Sequence, residues 1–135
     1  MGSEMCIRDR YNVAVLREFI AQHYLIGGDW GPENDLNSHQ YRLEITIENE
    51  QLDQHGYLVD IVEVENVIND IVSTYKDNTL NDFPEFEGLN PSLENFCRII
   101  GDMFCKNLSV VDVYSVEVKL WEDSSAWASH TRILK

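Results

Sequence analysis

Residues 36–44 read Leu-Asn-Ser-His-Gln-Tyr-Arg-Leu-Glu, and this stretch indicates how the predicted sheet is built. From Tyr41 onward apolar and polar residues alternate, and successive side chains of a β-strand point to opposite faces. The alternation places His39 on the same face as Tyr41 and Leu43. The earlier residues 19–23, Phe-Ile-Ala-Gln-His, alternate in the same way and end with His23 on the apolar side. Two imidazoles at the ends of neighbouring strands predict a metal site at the mouth of the sheet.

The hydrophobic periodicity predicts six elements in the order β-β-α-α-β-β. Alternation predicts strands over residues 11–25, 39–49, 110–121 and 126–134, with a turn at 53–56 and a short extended segment at 57–60. Spacings of three and four predict one helix over 64–75 and a second that starts at Asn90-Pro91. This order favours an α+β fold, with two helices on one face of an antiparallel four-stranded sheet. The exposed sheet edges predict oligomerisation.

The composition excludes several classes of protein. The chain has 135 residues, of which 44% are hydrophobic, so it suits one domain with a real core. A formal net charge of -14 argues against a nucleic-acid binder, which needs a basic patch. There is no apolar run long enough for a transmembrane helix and no secretory signal. Three cysteines do not make a disulfide framework, which indicates a reduced, cytoplasmic protein.

Residues 1–10 do not fit the pattern of the rest of the chain. Their sequence, Met-Gly-Ser-Glu-Met-Cys-Ile-Arg-Asp-Arg, is similar to translated read-through of a sequencing-library adapter. We therefore expect residues 1–10 to be a non-native leader and residues 11–135 to be the single domain.

Several motifs together resemble the family of 6-pyruvoyltetrahydropterin and 6-carboxytetrahydropterin synthases. These motifs are Phe19-x-Ala21-x-His23, Asn37-Ser38-His39-x-Tyr41-Arg42-x-Glu44, Gly56-Tyr57-Leu58-Val59-Asp60, Leu80-Asn81, Pro91-Ser92-Leu93-Glu94-Asn95 and Val118-x-Leu120-Trp121-Glu122. The resemblance implies a tunnelling fold, in which sheets join into an oligomeric barrel, commonly a dimer of trimers with active sites between subunits. It also implies a zinc-dependent lyase that acts on dihydroneopterin triphosphate, in queuosine-precursor or tetrahydrobiopterin-type metabolism.

Only part of the family's zinc site has matching residues in this chain. His23 and His39 match the first and third zinc histidines of the family, whereas the second falls on Asn37. The catalytic cysteine of the family falls on Glu33. We expect His23 and His39 to bind zinc weakly, helped by Glu33, whose carboxylate is an ordinary zinc ligand. Glu33 is a candidate base if burial raises its pKa, and otherwise a solvated loop acid.

The same resemblance implies matches for three further positions. The later Asp-His pair of the family falls on Lys76 and Asp77, of which Asp77 is the candidate catalytic residue and Lys76 is surface. Glu122 matches the glutamate that anchors the pterin ring. By parity it follows the apolar face of its strand, and a carboxylate accepts two hydrogen bonds from a pterin amino group and ring N–H. The alternative is a strand-end acid in solvent.

Two functions follow from this mixed match. The first is a zinc-assisted lyase of dihydroneopterin triphosphate or a related pterin. The second is a non-catalytic or impaired pterin-binding relative whose metal site has been degraded at Asn37, unless that asparagine is itself a sequence error.

Overall fold

The structure is a computed structural model that describes residues 9–108 and 112–135. Its six main elements follow in the predicted order, which is confirmed: β1 (Tyr11–His23), β2 (Asn37–Asn49), α1 (Ile61–Tyr75), α2 (Leu93–Asn107), β3 (Ser115–Trp121) and β4 (Trp127–Ile133). Short 3₁₀ turns occupy Gly31–Asn34, Leu80–Asp82 and Pro84–Phe86. Of the expected leader, residues 1–8 lie outside the described residues. Neither described helix is long and apolar enough to cross a membrane.

The four strands form one antiparallel sheet in the order β1-β2-β3-β4. Odd-numbered residues of β1 and β2 and even-numbered residues of β3 face the helices, so the predicted alternation is confirmed. In the register of β1 and β2, Ala21 lies opposite His39 and His23 lies opposite Asn37. Because both histidines have the parity of the apolar residues, the register brings their side chains to the same face.

The two helices cover that face with their apolar stripes. Phe96 of α2 lies at the centre of the core and makes ring contacts with Phe19, Tyr41, Tyr75 and Phe86 at centroid distances of 5.2–6.1 Å. Burying each such side chain contributes roughly 1.5–3 kcal/mol to folding. This cluster joins both helices to the first two strands and therefore supports the end of the sheet that carries the histidines.

The helix starts differ from the sequence prediction. α1 begins at Ile61, because the Asp60 side chain accepts a hydrogen bond from the Val62 N–H and caps it. The predicted start of α2 at Asn90-Pro91 is wrong. Ser92 is the cap, since its hydroxyl oxygen accepts from the Asn95 N–H, whereas Asn90 accepts from the Ile26 N–H in a neighbouring loop. Asn90, which the local sequence pattern favoured as the helix cap, therefore makes a tertiary contact instead.

Several strand boundaries also differ. β1 ends at His23 and not at residue 25, because the Asn81 side chain bonds both backbone groups of Tyr24 and turns the chain. β2 begins earlier than predicted, at Asn37, and the predicted extended segment 57–60 contains a bend at Leu58 and Val59. β3 begins only at Ser115, and residues 110–111 of the predicted strand lie outside the described residues. β4 falls inside its predicted range.

The outer strands are covered unequally. The turn after α1 lies along the end of β1, where the Asp77 N–H donates to Ile20 O at 2.7 Å and the Gln22 N–H donates to Asn78 O at 2.9 Å. Asp77 adopts a φ of 61°, a left-handed conformation that aspartate tolerates better than most residues. Within the described residues, nothing pairs with the outer edge of β4 or with the first part of β1.

Candidate metal and pterin site

Two imidazoles lie together at the end of the first two strands. The rings of His23 and His39 stack, with centroids 4.8 Å apart and planes inclined by 15°. His23 is 5% exposed and His39 is half-buried. The antiparallel register of β1 and β2 brings the two rings together. His23 lies opposite Asn37, which is only two residues before His39 on β2.

A carboxylate joins the imidazoles from the loop between β1 and β2. Glu33 lies in the 3₁₀ turn Gly31–Asn34, and its carbonyl accepts a hydrogen bond from the Leu25 N–H at 2.9 Å. Its side chain is exposed, so the burial that was the condition for its role as a base is not present in the single chain. The Asn34 side chain closes the same loop by donating to Leu25 O and Gly28 O. As a result, one ligand atom each from His23, Glu33 and His39 lie within 4.8 Å of one another.

The donor set fits a divalent metal ion. His39 Nε2 is buried and has no hydrogen-bond partner among the described residues. Leaving a buried polar atom unpaired costs about 1–3 kcal/mol, and a bound cation would satisfy it. Two imidazole nitrogens and one carboxylate oxygen are ligands that zinc accepts, with a fourth position left for water or substrate. The residues present therefore fit the metal that the resemblance implies.

The electrostatics favour neutral imidazole. Burial lowers the pKa of His23, and the neighbouring His39 lowers it further, whereas Glu33 raises it. Neutral imidazole is the form that binds metal, so this balance keeps His23 ready to act as a ligand near pH 7.

A buried tyrosine that was not among the predicted site residues contacts the pair. Tyr41 Oη lies 3.2 Å from His23 Nδ1, and the side chain is 1% exposed. Burial raises the pKa of Tyr41, and the charges of Glu122 and Glu33 raise it further, so the phenol stays protonated. The sequence could have indicated this residue, because Tyr41 lies two residues after His39 on the same strand face.

Asn37 faces the Glu33 loop. Its side-chain nitrogen donates to Asp35 O at 2.7 Å and to Glu33 Oε2 at 3.3 Å. Asn37 thus contacts the carboxylate that lies beside the two histidines, a contact that strand parity does not reveal.

Glu122 lies in a groove at the end of β3. The strand ends at Trp121, so Glu122 follows it, and the Glu122 N–H donates to Ala126 O at 3.3 Å. The groove has a volume of about 440 Å³ and is also lined by Glu18, Gln40 and Arg42, so it opens on the face of the sheet that points away from the helices and the histidines. The Arg42 guanidinium lies 4.9 Å from the centre of the Trp121 ring. Because Trp121 lies opposite Arg42 in the register of β2 and β3, Glu122 follows beside Tyr41, at the histidine end of the sheet.

The structure does not bring Asp77 into the histidine cluster. Asp77 is exposed in the turn after α1, beside Ile20 of β1. His55 lies in an exposed turn, and His130 lies on β4. Cys97, on α2, is fully buried against β4, and burial raises the pKa of its thiol to about 12. Among the described residues, only His23, Glu33 and His39 form a group that could hold a metal ion.

Comparisons with known proteins give consistent results. The model of the 6-pyruvoyl tetrahydropterin synthase family matches residues 12–132. The Caenorhabditis elegans 6-pyruvoyl tetrahydropterin synthase structure is 16% identical, with a TM-score of 0.81 over 90% of this chain and 95% of that chain. A Plasmodium vivax 6-pyruvoyltetrahydropterin synthase, a catalytic-residue mutant with a glutamate replaced by alanine, is 14% identical, with a TM-score of 0.77 over 93% and 99%.

A more distant likeness is to a Burkholderia thailendensis dihydroneopterin aldolase bound to guanine. It is 12% identical, with a TM-score of 0.51 over 94% of this chain and 93% of that chain. A comparison with curated proteins finds no match. The family model spans nearly the whole domain, and the fold agrees with the solved synthases. The chain therefore belongs to the 6-pyruvoyl tetrahydropterin synthase family.

Proposed function

We propose that this protein is a zinc-assisted lyase that acts on dihydroneopterin triphosphate or a related pterin. The family consists of lyases of pterin metabolism, which sets the class of reaction. The observation that carries the proposal is the convergence of His23, Glu33 and His39, whose ligand atoms lie within 4.8 Å of one another. The buried His39 Nε2, which has no hydrogen-bond partner in the part of the chain that the structure describes, also supports it.

In this proposal His23 and His39 hold the zinc ion. When bound, zinc would polarise an oxygen of the pterin side chain and make the neighbouring C–H more acidic. The low pKa of His23 keeps its imidazole in the neutral form that a metal requires.

Glu33 is proposed to help hold the zinc ion through one carboxylate oxygen and to act as the base through the other. It lies next to both imidazoles, so it can accept a proton from the substrate carbon that zinc activates. The Plasmodium vivax relative supports this role, since a glutamate is the catalytic residue replaced in that variant. Cys97 is excluded as the base because its thiol is buried in the core and its pKa is about 12.

Glu122 is the proposed anchor of the pterin ring. Glu122 continues the parity of the helix-facing residues of β3, and a carboxylate there can accept hydrogen bonds from the amino group and ring N–H. Asp77, exposed at the edge of β1, is proposed to act toward the site of a neighbouring subunit. This arrangement requires the homo-oligomer, a dimer of trimers by resemblance, that the uncovered edges of β4 and β1 support.

The test is turnover of dihydroneopterin triphosphate by the zinc-loaded protein, with products separated by chromatography and identified by mass. We expect wild-type turnover and a loss of roughly 10²- to 10⁴-fold in Glu33→Gln, the range for removal of a general base. Glu87→Gln, in an exposed loop, is the matched control and should keep full turnover. Full turnover by Glu33→Gln would rule out the catalytic role, and the product mass separates a carboxyl from a pyruvoyl product.

A second candidate function is pterin binding without turnover. It is favoured by Asn37 and Lys76, which stand where the family has a zinc histidine and an aspartate. In that case pterin binds in a manner that depends on Glu122, and no product forms at any zinc concentration.

A further inference from the structure

The side-chain amide of Asn37 has an orientation that its surroundings fix. Its nitrogen lies 2.7 Å from Asp35 O, 3.3 Å from Glu33 Oε2 and 3.5 Å from Pro32 O. All three contacts are oxygens that only accept hydrogen bonds, so the NH₂ group must face them and the amide oxygen must face away. Asn37 is therefore a donor to the Glu33 loop.

This contact fixes one side of the Glu33 carboxylate. Asn37 starts β2 and lies opposite His23 in the sheet register, so its backbone position is tied to the strand that carries the first histidine. Through its amide it holds Oε2 of Glu33, while a carboxylate oxygen of the same residue belongs to the group formed with His23 and His39. The loop itself is closed by the hydrogen bond from the Leu25 N–H to Glu33 O.

We propose that Asn37 is a positioning residue that holds the Glu33 carboxylate against the two imidazoles, so that this carboxylate takes the place of a third imidazole ligand. The inference rests on the proposed metal site. An asparagine suits this role because its NH₂ group donates two hydrogen bonds, here to Asp35 O and Glu33 Oε2. A neutral imidazole has a single N–H. The carboxylate also brings a full negative charge toward a divalent cation.

The test is a double-mutant cycle on zinc affinity, measured by competition with a chromophoric chelator. The four proteins are wild type, Asn37→Ala, Glu33→Ala and the double variant. We expect Asn37→Ala to weaken zinc binding by about 10- to 100-fold, the usual effect of removing a group that orients a ligand. The double variant should bind zinc no more weakly than Glu33→Ala alone, since Asn37 acts through Glu33.

Gln40→Ala is the matched control. Gln40 lies on the same strand, and its amide nitrogen lies 3.5 Å from Glu18 Oε2, a contact of the same chemical type on the face of the sheet that points away from the histidines. This variant should keep wild-type zinc affinity. Wild-type affinity in Asn37→Ala, or losses that simply add in the double variant, would overturn the inference.

A second measurement does not depend on how Asn37→Ala folds. In the metal-free protein, the side-chain amide protons of Asn37 should shift in the NMR spectrum when Glu33 is replaced by alanine, because one of them loses its acceptor. Unchanged resonances would overturn the inference. The cycle needs no turnover: coupling without lyase activity refutes the proposed function alone, and turnover with additive losses refutes the positioning role alone.

Discussion

At the scale of single residues, strand parity predicted the position of His39 but not the contact that Asn37 makes. Parity predicted that His39 shares the apolar face, and the structure places its Nε2 in a buried position with no hydrogen-bond partner in residues 9–108 and 112–135. Strand parity could not predict the contact between Asn37 and Glu33, because this contact depends on the path of a 3₁₀ turn. Loop geometry of this kind is set by several side-chain bonds at once, and spacing in sequence does not encode it.

Glu122 carries the prediction on pterin binding. We expect Glu122→Ala to weaken pterin binding by at least about 100-fold without unfolding the chain, since two hydrogen bonds to a charged group contribute roughly 1.5–3 kcal/mol each. Calorimetric titration with a pterin measures the loss, and thermal melting checks the fold. Glu87→Ala provides a glutamate control in an exposed loop. Unchanged affinity in Glu122→Ala would remove Glu122 from the site.

A further prediction concerns the reactivity of the Cys97 thiol at a given pH. Burial disfavours the thiolate and raises the pKa to about 12, so at pH 8 only about one molecule in 10⁴ has the reactive form. The folded protein should therefore resist iodoacetamide at pH 8, and labelling should become fast once denaturant exposes the side chain. Mass spectrometry of the labelled peptide gives the extent. Rapid labelling of native Cys97 would show that the thiol is not held in the core.

At the scale of elements, periodicity predicted the existence and order of strands and helices better than their ends. The stripes of α1 and α2 follow from spacings of three and four that the chain keeps over several turns. The start of α2 was missed because Asn90 and Ser92 are both good caps, and only the bond from the Ile26 N–H to Asn90 decides between them. β1 ended early for a similar reason, the contact with Asn81.

The cap of α2 can be tested directly. Ser92→Ala should lower the free energy of unfolding by about 1 kcal/mol, because the Asn95 N–H loses its acceptor. Denaturant unfolding followed by circular dichroism measures the change. Ser73→Ala, at an exposed position inside α1, should be neutral or slightly stabilising, since alanine favours helix. Equal effects in the two variants would mean that Ser92 does not cap the helix.

At the scale of the whole molecule, the apolar surface of β4 bears on assembly. Trp127 is 53% exposed and Ile133 is 57% exposed, on a strand whose outer edge has no partner among the described residues. Solubility is otherwise favoured by a net charge of -14. The fold and its order of elements followed from the sequence, whereas the number of subunits did not, because it depends on the angle at which two edges meet.

This surface gives a prediction on oligomeric state. Replacing both Trp127 and Ile133 by lysine should shift the protein to a smaller species in light scattering, because charge at a strand edge opposes pairing with another copy. Tyr57→Lys, at an exposed apolar position in a loop, is the control and should assemble like wild type. An unchanged mass in the double variant would place the subunit contact elsewhere.

The turn that carries Asp77 also affects how the protein behaves at high concentration. By occupying Ile20 and Gln22, it leaves only the first part of β1 as a template for a foreign strand. A long, flat, unpaired edge is what lets folded proteins stack into fibrils, and this one is shortened by a backbone conformation that aspartate accepts at low cost. The same edge can then serve ordered association in one register while resisting uncontrolled aggregation.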